Sequence, residues 1–163
     1  MSRNNTLFME TTKISSDTSA SAITKCLVAA GARSINTDYD NDSRIVGITW
    51  LMHVDGSQVV FRMPVKVKHI QTVLLKEVQA TRRWTDESKR GIIREEVRDK
   101  AERIAWRQLF RWVEAQMAMI DTGMAEMSEV FFPYVEAAPG RTIYQLARES
   151  RFKMLAAPQP TAP

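Results

Sequence analysis

One stretch limits the folds open to this chain more than any other. From about Ile92 to about Tyr134 the apolar residues recur at helical spacing. Thirty or more helical residues span about 45 Å at 1.5 Å per residue, more than a compact domain of 163 residues is wide. Such a helix has to bend, break or project. Two places invite a break: Asp121-Thr122-Gly123, whose glycine accepts a left-handed cap, and Pro133, which kinks a helix interior.

The remaining segments supply what this helix packs on. Thr11–Ile14 reads as a short edge strand, and the run Ser15-Ser16-Asp17-Thr18-Ser19 is rich in residues that cap a helix start. A helix over about Ala20–Ala30 follows, with Ile23, Cys26, Leu27 and Ala30 as its apolar stripe and Gly31 as its stop. Next comes a meander of strands over Arg33–Tyr39, Arg44–Val54 and Gln58–Met63, joined at Asp40-Asn41-Asp42 and at Asp55-Gly56. Val46, Ile48, Trp50 and Met52 share one face of the middle strand, and Val59, Phe61 and Met63 one face of the third. The other face mixes Thr49, His53 and Arg62 with Ile45, Leu51 and Val60, which calls for a second cover. Val65–Ala80 reads as a helix, Thr81–Gly91 as a charged mobile loop containing Trp84, and Thr142–Ser150 as a last short helix. The expected fold is α+β: a small antiparallel three-stranded meander packed with helices, one of them dominant. Residues 11–155 form its single domain, residues 1–10 a flexible leader and residues 156–163 a disordered Pro/Ala tail.

Charge is unevenly placed. Residues 1–61 hold 5 basic and 6 acidic side chains, residues 62–111 hold 14 and 7, and residues 112–163 hold 4 and 6. A basic middle between mildly acidic ends attracts polyanions over about one Debye length, ~8–10 Å in physiological salt. Within it, Arg103, Arg107 and Arg111 follow one another at i,i+4 along the long helix, with Trp106 and Phe110 beside them. Guanidinium groups bind phosphate bidentately and aromatic rings stack on unpaired bases. These five residues are the first candidates for a single-stranded polynucleotide, with Arg62, Lys66, Lys68, Arg82, Arg83, Lys89 and Arg90 as supporting charge. The same residues also suit a structural face, with Trp106 and Phe110 packed inward and Glu95, Glu96, Asp99 and Glu102 neutralising the arginines.

Catalytic and metal chemistry find little support. His53, His69 and the single cysteine, Cys26, have no metal-ligand spacing, and no glycine loop of the phosphate-cradling kind is present. Asp38, Asp40 and Asp42 lack the glycine and closing glutamate of a calcium loop and read as a hairpin turn. One cysteine suits a reducing compartment, and no apolar run approaches the ~20 residues of a membrane span.

The blocks Arg33–Trp50, Val59–Val65, Lys100–Arg107, Trp112–Gln116 and Gly140–Tyr144 resemble a family of small uncharacterised bacteriophage and prophage proteins over most of residues 11–155. The order of elements is similar, at the level of topology, to the core of phage single-strand annealing proteins. The resemblance implies a phage replication, recombination or host-defence setting in a bacterial cytoplasm. The expected function is non-catalytic nucleic-acid binding, to single-stranded DNA, without a cofactor. The alternative is a module that binds a host or phage protein through the Met/Phe-rich stretch Met117, Met119, Met124, Met127, Val130, Phe131, Phe132 and Tyr134. The two-sided sheet and that surplus of Met and Phe also lead us to expect a homo-oligomer.

Overall fold

The computed structural model describes residues 7–80 and 85–153. The chain is α+β, in the order α1 (Ser16–Ala29), β1 (Ser34–Tyr39), β2 (Ile45–Val54), β3 (Ser57–Pro64), α2 (Val67–Gln79), α3 (Arg90–Asp121), α4 (Met127–Phe131), β4 (Glu136–Ala138), β5 (Arg141–Thr142) and α5 (Ile143–Glu149). One-turn 3-10 helices at Glu87–Lys89 and Phe132–Tyr134 precede α3 and follow α4.

The meander forms as its alternation predicts. β1, β2 and β3 pair antiparallel in that order, with Trp50 opposite both Ile35 and Phe61. Asp55 (φ 48°) and Gly56 (φ 80°) turn the chain between Val54 and Ser57, the two-residue geometry that needs positive φ at both positions. The inward face stacks Trp50 on Phe61, 5.2 Å between centroids and 9° between planes, and Phe131 of α4 meets Trp50 edge-on at 5.5 Å. Ile23 and Leu27 of α1 and Trp106, Val113 and Met117 of α3 close this core. On the outward face Asp38, beside the side-chain-free Gly47, accepts from Thr49 Oγ1 at 3.1 Å and pairs with Arg62 at 3.5 Å, while His53 is exposed.

The long helix breaks where glycine allows it. α3 is 32 residues, and at Gly123 (φ 73°) the Gly123 amide donates to the Ile120 carbonyl and the Met124 amide to that of Met119, closing the helix end. Its length is accommodated by two cores. The N-terminal half packs Ile93, Val97, Ala101 and Ile104 on Leu74 of α2, and the C-terminal half turns Trp106, Val113 and Met117 to the sheet. At 100° per residue these two sets lie on opposite sides of the helix.

Three expectations are corrected. Thr11–Ile14 forms no strand: residues 8–11 make a turn and residues 12–15 lead to Ser15, which caps α1 by accepting from the Thr18 amide at 3.1 Å. The expected loop Thr81–Gly91 is shorter at its end: Glu87–Lys89 form a 3-10 turn and α3 already starts at Arg90. Within the expected leader, residues 7–10 are docked on α3: Leu7 packs on the second core, Glu10 pairs with Lys100 at 2.9 Å, and Gln108 Nε2 donates to the Phe8 carbonyl at 2.6 Å. Residues 1–6, Trp84 and the tail 156–163 lie outside the described residues.

Candidate functional site

The arginine ridge is there, but not as a free stacking platform. Trp106 is fully buried, and its indole Nε1 donates to the Ile45 carbonyl at 3.3 Å. It is a core residue and presents no ring face to a base, which corrects the stacking role. Phe110 is half-buried and already carries the Arg107 guanidinium over its ring at 4.9 Å. Arg111 pairs with Glu114 at 2.6 Å, and Arg103 lines a 290 Å³ cavity together with Asp17, Asp99 and Glu102. On the ridge, then, Arg111 is paired with a carboxylate, Arg107 is seated on a ring and Arg103 shares a cavity lined by carboxylates. Lys89 and Arg90 sit beside Asp86 (2.9 Å) and Glu87 (3.2 Å), and Arg62 is held by Asp38 on the outward sheet face. Arg82 and Arg83 lie outside the described residues.

A denser charge cluster ties the β1–β2 turn to α3. Arg44 pairs with Glu95, and with Asp99 and Glu102 at 2.8 Å each. Arg98 reaches Asp42 at 2.8 Å, Asp40 at 3.1 Å and Glu102 at 3.5 Å. Asp40 also accepts the Arg44 and Asp42 amides at 2.9 Å. The Arg44 amide is the main reason its carboxyl titrates below the ordinary range. Every one of these charges is committed to shape, so the cluster offers nothing to a ligand.

A groove of 720 Å³ opens between the end of β3, α2, α3, the Phe132–Tyr134 turn and α5. Its walls are Val65, Ile70, Leu109 and Trp112, with the rings of Tyr134 and Tyr144. Among the described residues, Lys66 and Arg148 are its charged lining residues and no carboxylate lines it. Lys66 stands at the start of α2 without a side-chain capping bond, its ammonium 5.4 Å from the centroid of the Tyr144 ring. Tyr144 and Arg148 are one turn apart on α5. The Thr142–Gln145 capping box starts that helix, with Thr142 donating its amide to Gln145 Oε1 at 2.8 Å and accepting the Gln145 amide at 3.3 Å. Trp112 is fixed edge-on to Phe131 (5.5 Å) and to Tyr134 (5.8 Å). Burial pushes the Tyr134 phenol above its ordinary range, and the neighbouring Tyr144 adds to the shift.

The groove adjoins a second cavity of 520 Å³, lined by Lys68, His69 and Arg98 as well as by Asp40 and Glu102; the two share Val65 and Lys66. The structure thus brings Lys66 and Lys68 together at the β3–α2 junction. At 100° per residue, Leu109 and Trp112 fall on the side of α3 opposite Arg103, Arg107 and Arg111. Sequence reasoning did not single out Trp112, Tyr144 and Arg148, which line the groove, and named Tyr134 only in the Met/Phe-rich stretch. The i,i+4 pair Tyr144/Arg148 behind the Thr142 capping box is the one local signal in the sequence that places two of the groove's lining residues together.

No family model matches the chain, and neither a curated protein nor a solved structure does. Function therefore has to be argued from the groove itself. Among the described residues no helix is long and apolar enough to cross a membrane.

Proposed function

We propose that this chain is a non-catalytic binder of single-stranded nucleic acid, and that the strand lies along the β3–α2 junction rather than on the arginine ridge. The observation that carries the reading is the groove walled by Trp112, Tyr134 and Tyr144, with Lys66 and Arg148 as its charged lining among the described residues. Aromatic rings accept any base face, worth about 1–3 kcal/mol per base, and cations without carboxylate partners hold the backbone. A duplex keeps its bases stacked inside and offers such a groove only phosphates. The setting this suits is phage replication or recombination in a bacterial cytoplasm. The test is ultraviolet cross-linking of the protein to a bromouridine-substituted single strand of about 15 nucleotides, followed by peptide mapping. Adducts at Trp112, Tyr134 or Tyr144 are expected; no adduct and no complex at about 50 mM salt would overturn the proposal.

A second reading has its own observation. Met124 is 73 % and Phe132 56 % exposed, although Phe131 beside it is fully buried. An apolar surface of this kind suits a protein partner, including a second copy of the chain. Capture of one defined protein that survives nuclease and high salt would favour it.

A further inference from the structure

We infer that the 720 Å³ groove takes one nucleoside monophosphate unit, free or as one residue of a single strand, with its base among Trp112, Tyr134 and Tyr144 and its phosphate between Lys66 and Arg148. This rests on the binding reading above and narrows it to one nucleotide in one place. The volume lies within the roughly 300–1,000 Å³ of ordinary ligand pockets. Its polarity is divided as a nucleotide's is. The aromatic walls come from α3, the Phe132–Tyr134 turn and α5, and the two cations come from the β3–α2 junction and from α5, where Tyr144 carries the Lys66 ammonium over its ring and Arg148 follows one turn later.

Neither cation is spoken for. Among the described residues neither Lys66 nor Arg148 is in an ion pair, and Lys66 meets only the face of Tyr144. A phosphate dianion is a stronger partner for an ammonium than a ring quadrupole is. The groove also reads a base edge. The Tyr134 phenol, protonated at neutral pH as any tyrosine is, donates as well as accepts. The Oε1 of Gln145 is held by the Thr142 amide, which leaves the Gln145 amide nitrogen as a donor. A neutral apolar ligand would leave both cations unpaired, and inorganic phosphate would leave the aromatic walls bare.

The experiment is an NMR titration of the full chain, read at the Trp112 indole and the Tyr144 amide. The ligands are thymidine 5′-monophosphate, adenosine 5′-monophosphate, thymidine, inorganic phosphate and an oligothymidylate. Both monophosphates should give saturable shifts at these two signals, and thymidine or phosphate alone should bind about tenfold or more weakly. Lys66→Gln with Arg148→Gln should weaken the monophosphates at least about tenfold and leave the rest of the spectrum unchanged, since both side chains are exposed. Oligothymidylate binding with no monophosphate response would overturn this inference and leave the strand-binding reading standing. No response to any of the ligands would overturn both. A full response to phosphate alone would make the groove a simple anion site and overturn the inference.

Discussion

Trp106 and Trp50 show how differently two buried indoles are placed. Trp106 donates to the Ile45 carbonyl, whereas Trp50 Nε1, at the centre of the same core, has no partner. A buried donor without a partner costs about 1–3 kcal/mol, so shortening each ring has unequal consequences. Trp50→Phe removes an unsatisfied donor while losing ring contacts, and should change stability by less than about 2 kcal/mol. Trp106→Phe loses contacts and also strands the Ile45 carbonyl, and Trp106→Ala should cost about 3–5 kcal/mol. Urea unfolding of the three variants checks the order; equal losses for the two phenylalanine variants would contradict it. The helical period alone does not reveal that Trp106 is core. It places Trp106 between faces, because one projection of α3 averages two halves that bury opposite sides. The period-2 reading holds where the pairing is regular, with Ile48, Trp50, Met52, Phe61 and Met63 all buried, but the register shift opposite Asp38 and Tyr39 reverses it at the start of β2, where Ile45 rather than Val46 enters the core.

At the scale of elements, α3 is held by what comes to it from afar. The β1–β2 turn reaches it through Arg44 and Arg98, and residues 7–10 reach it through Leu7 and the Glu10–Lys100 pair. The hydrogen bond from Lys100 is the main cause of Glu10's lowered pKa, as the Arg44 amide is of Asp40's. A carboxyl depressed in the folded state stabilises the fold above its unfolded pKa, about 3.9 for Asp and 4.3 for Glu. That contribution is lost as pH falls through the lower folded values. The melting temperature should therefore hold between about pH 7 and pH 5 and drop below about pH 4. Asp40→Asn keeps the acceptor for the Arg44 amide and should shallow the acid drop; an unchanged profile would contradict the assignment. These attachments were not legible in the sequence, because Arg44 meets partners 51–58 residues away and Glu10 one 90 residues away. The capped ends were legible, because a glycine after the last periodic residue signals the stop locally, as at Gly31 and Gly123.

Across the whole molecule, α3 divides the surface into two candidate binding sides. One bears Arg103, Arg107 and Arg111, each close to a carboxylate or already seated on a ring. The other bears the groove, whose parts run from Pro64 to Arg148 and meet only on folding. A strand gripped by the groove contacts Lys66 and Arg148 and leaves the ridge in solvent. The most direct test is the salt dependence of binding to a fluorescent oligothymidylate of about 15 nucleotides, followed by anisotropy. It compares Lys66→Gln/Arg148→Gln with Arg103→Gln/Arg107→Gln/Arg111→Gln. The groove pair should lose about tenfold or more in affinity and lower the slope of log affinity against log salt by about 0.7 for each lost phosphate contact. The ridge triple variant should stay within about threefold of the wild type, because a strand held in the groove makes no contact with those arginines. The reverse pattern, with the ridge variant losing affinity and slope while the groove variant binds normally, would contradict the account.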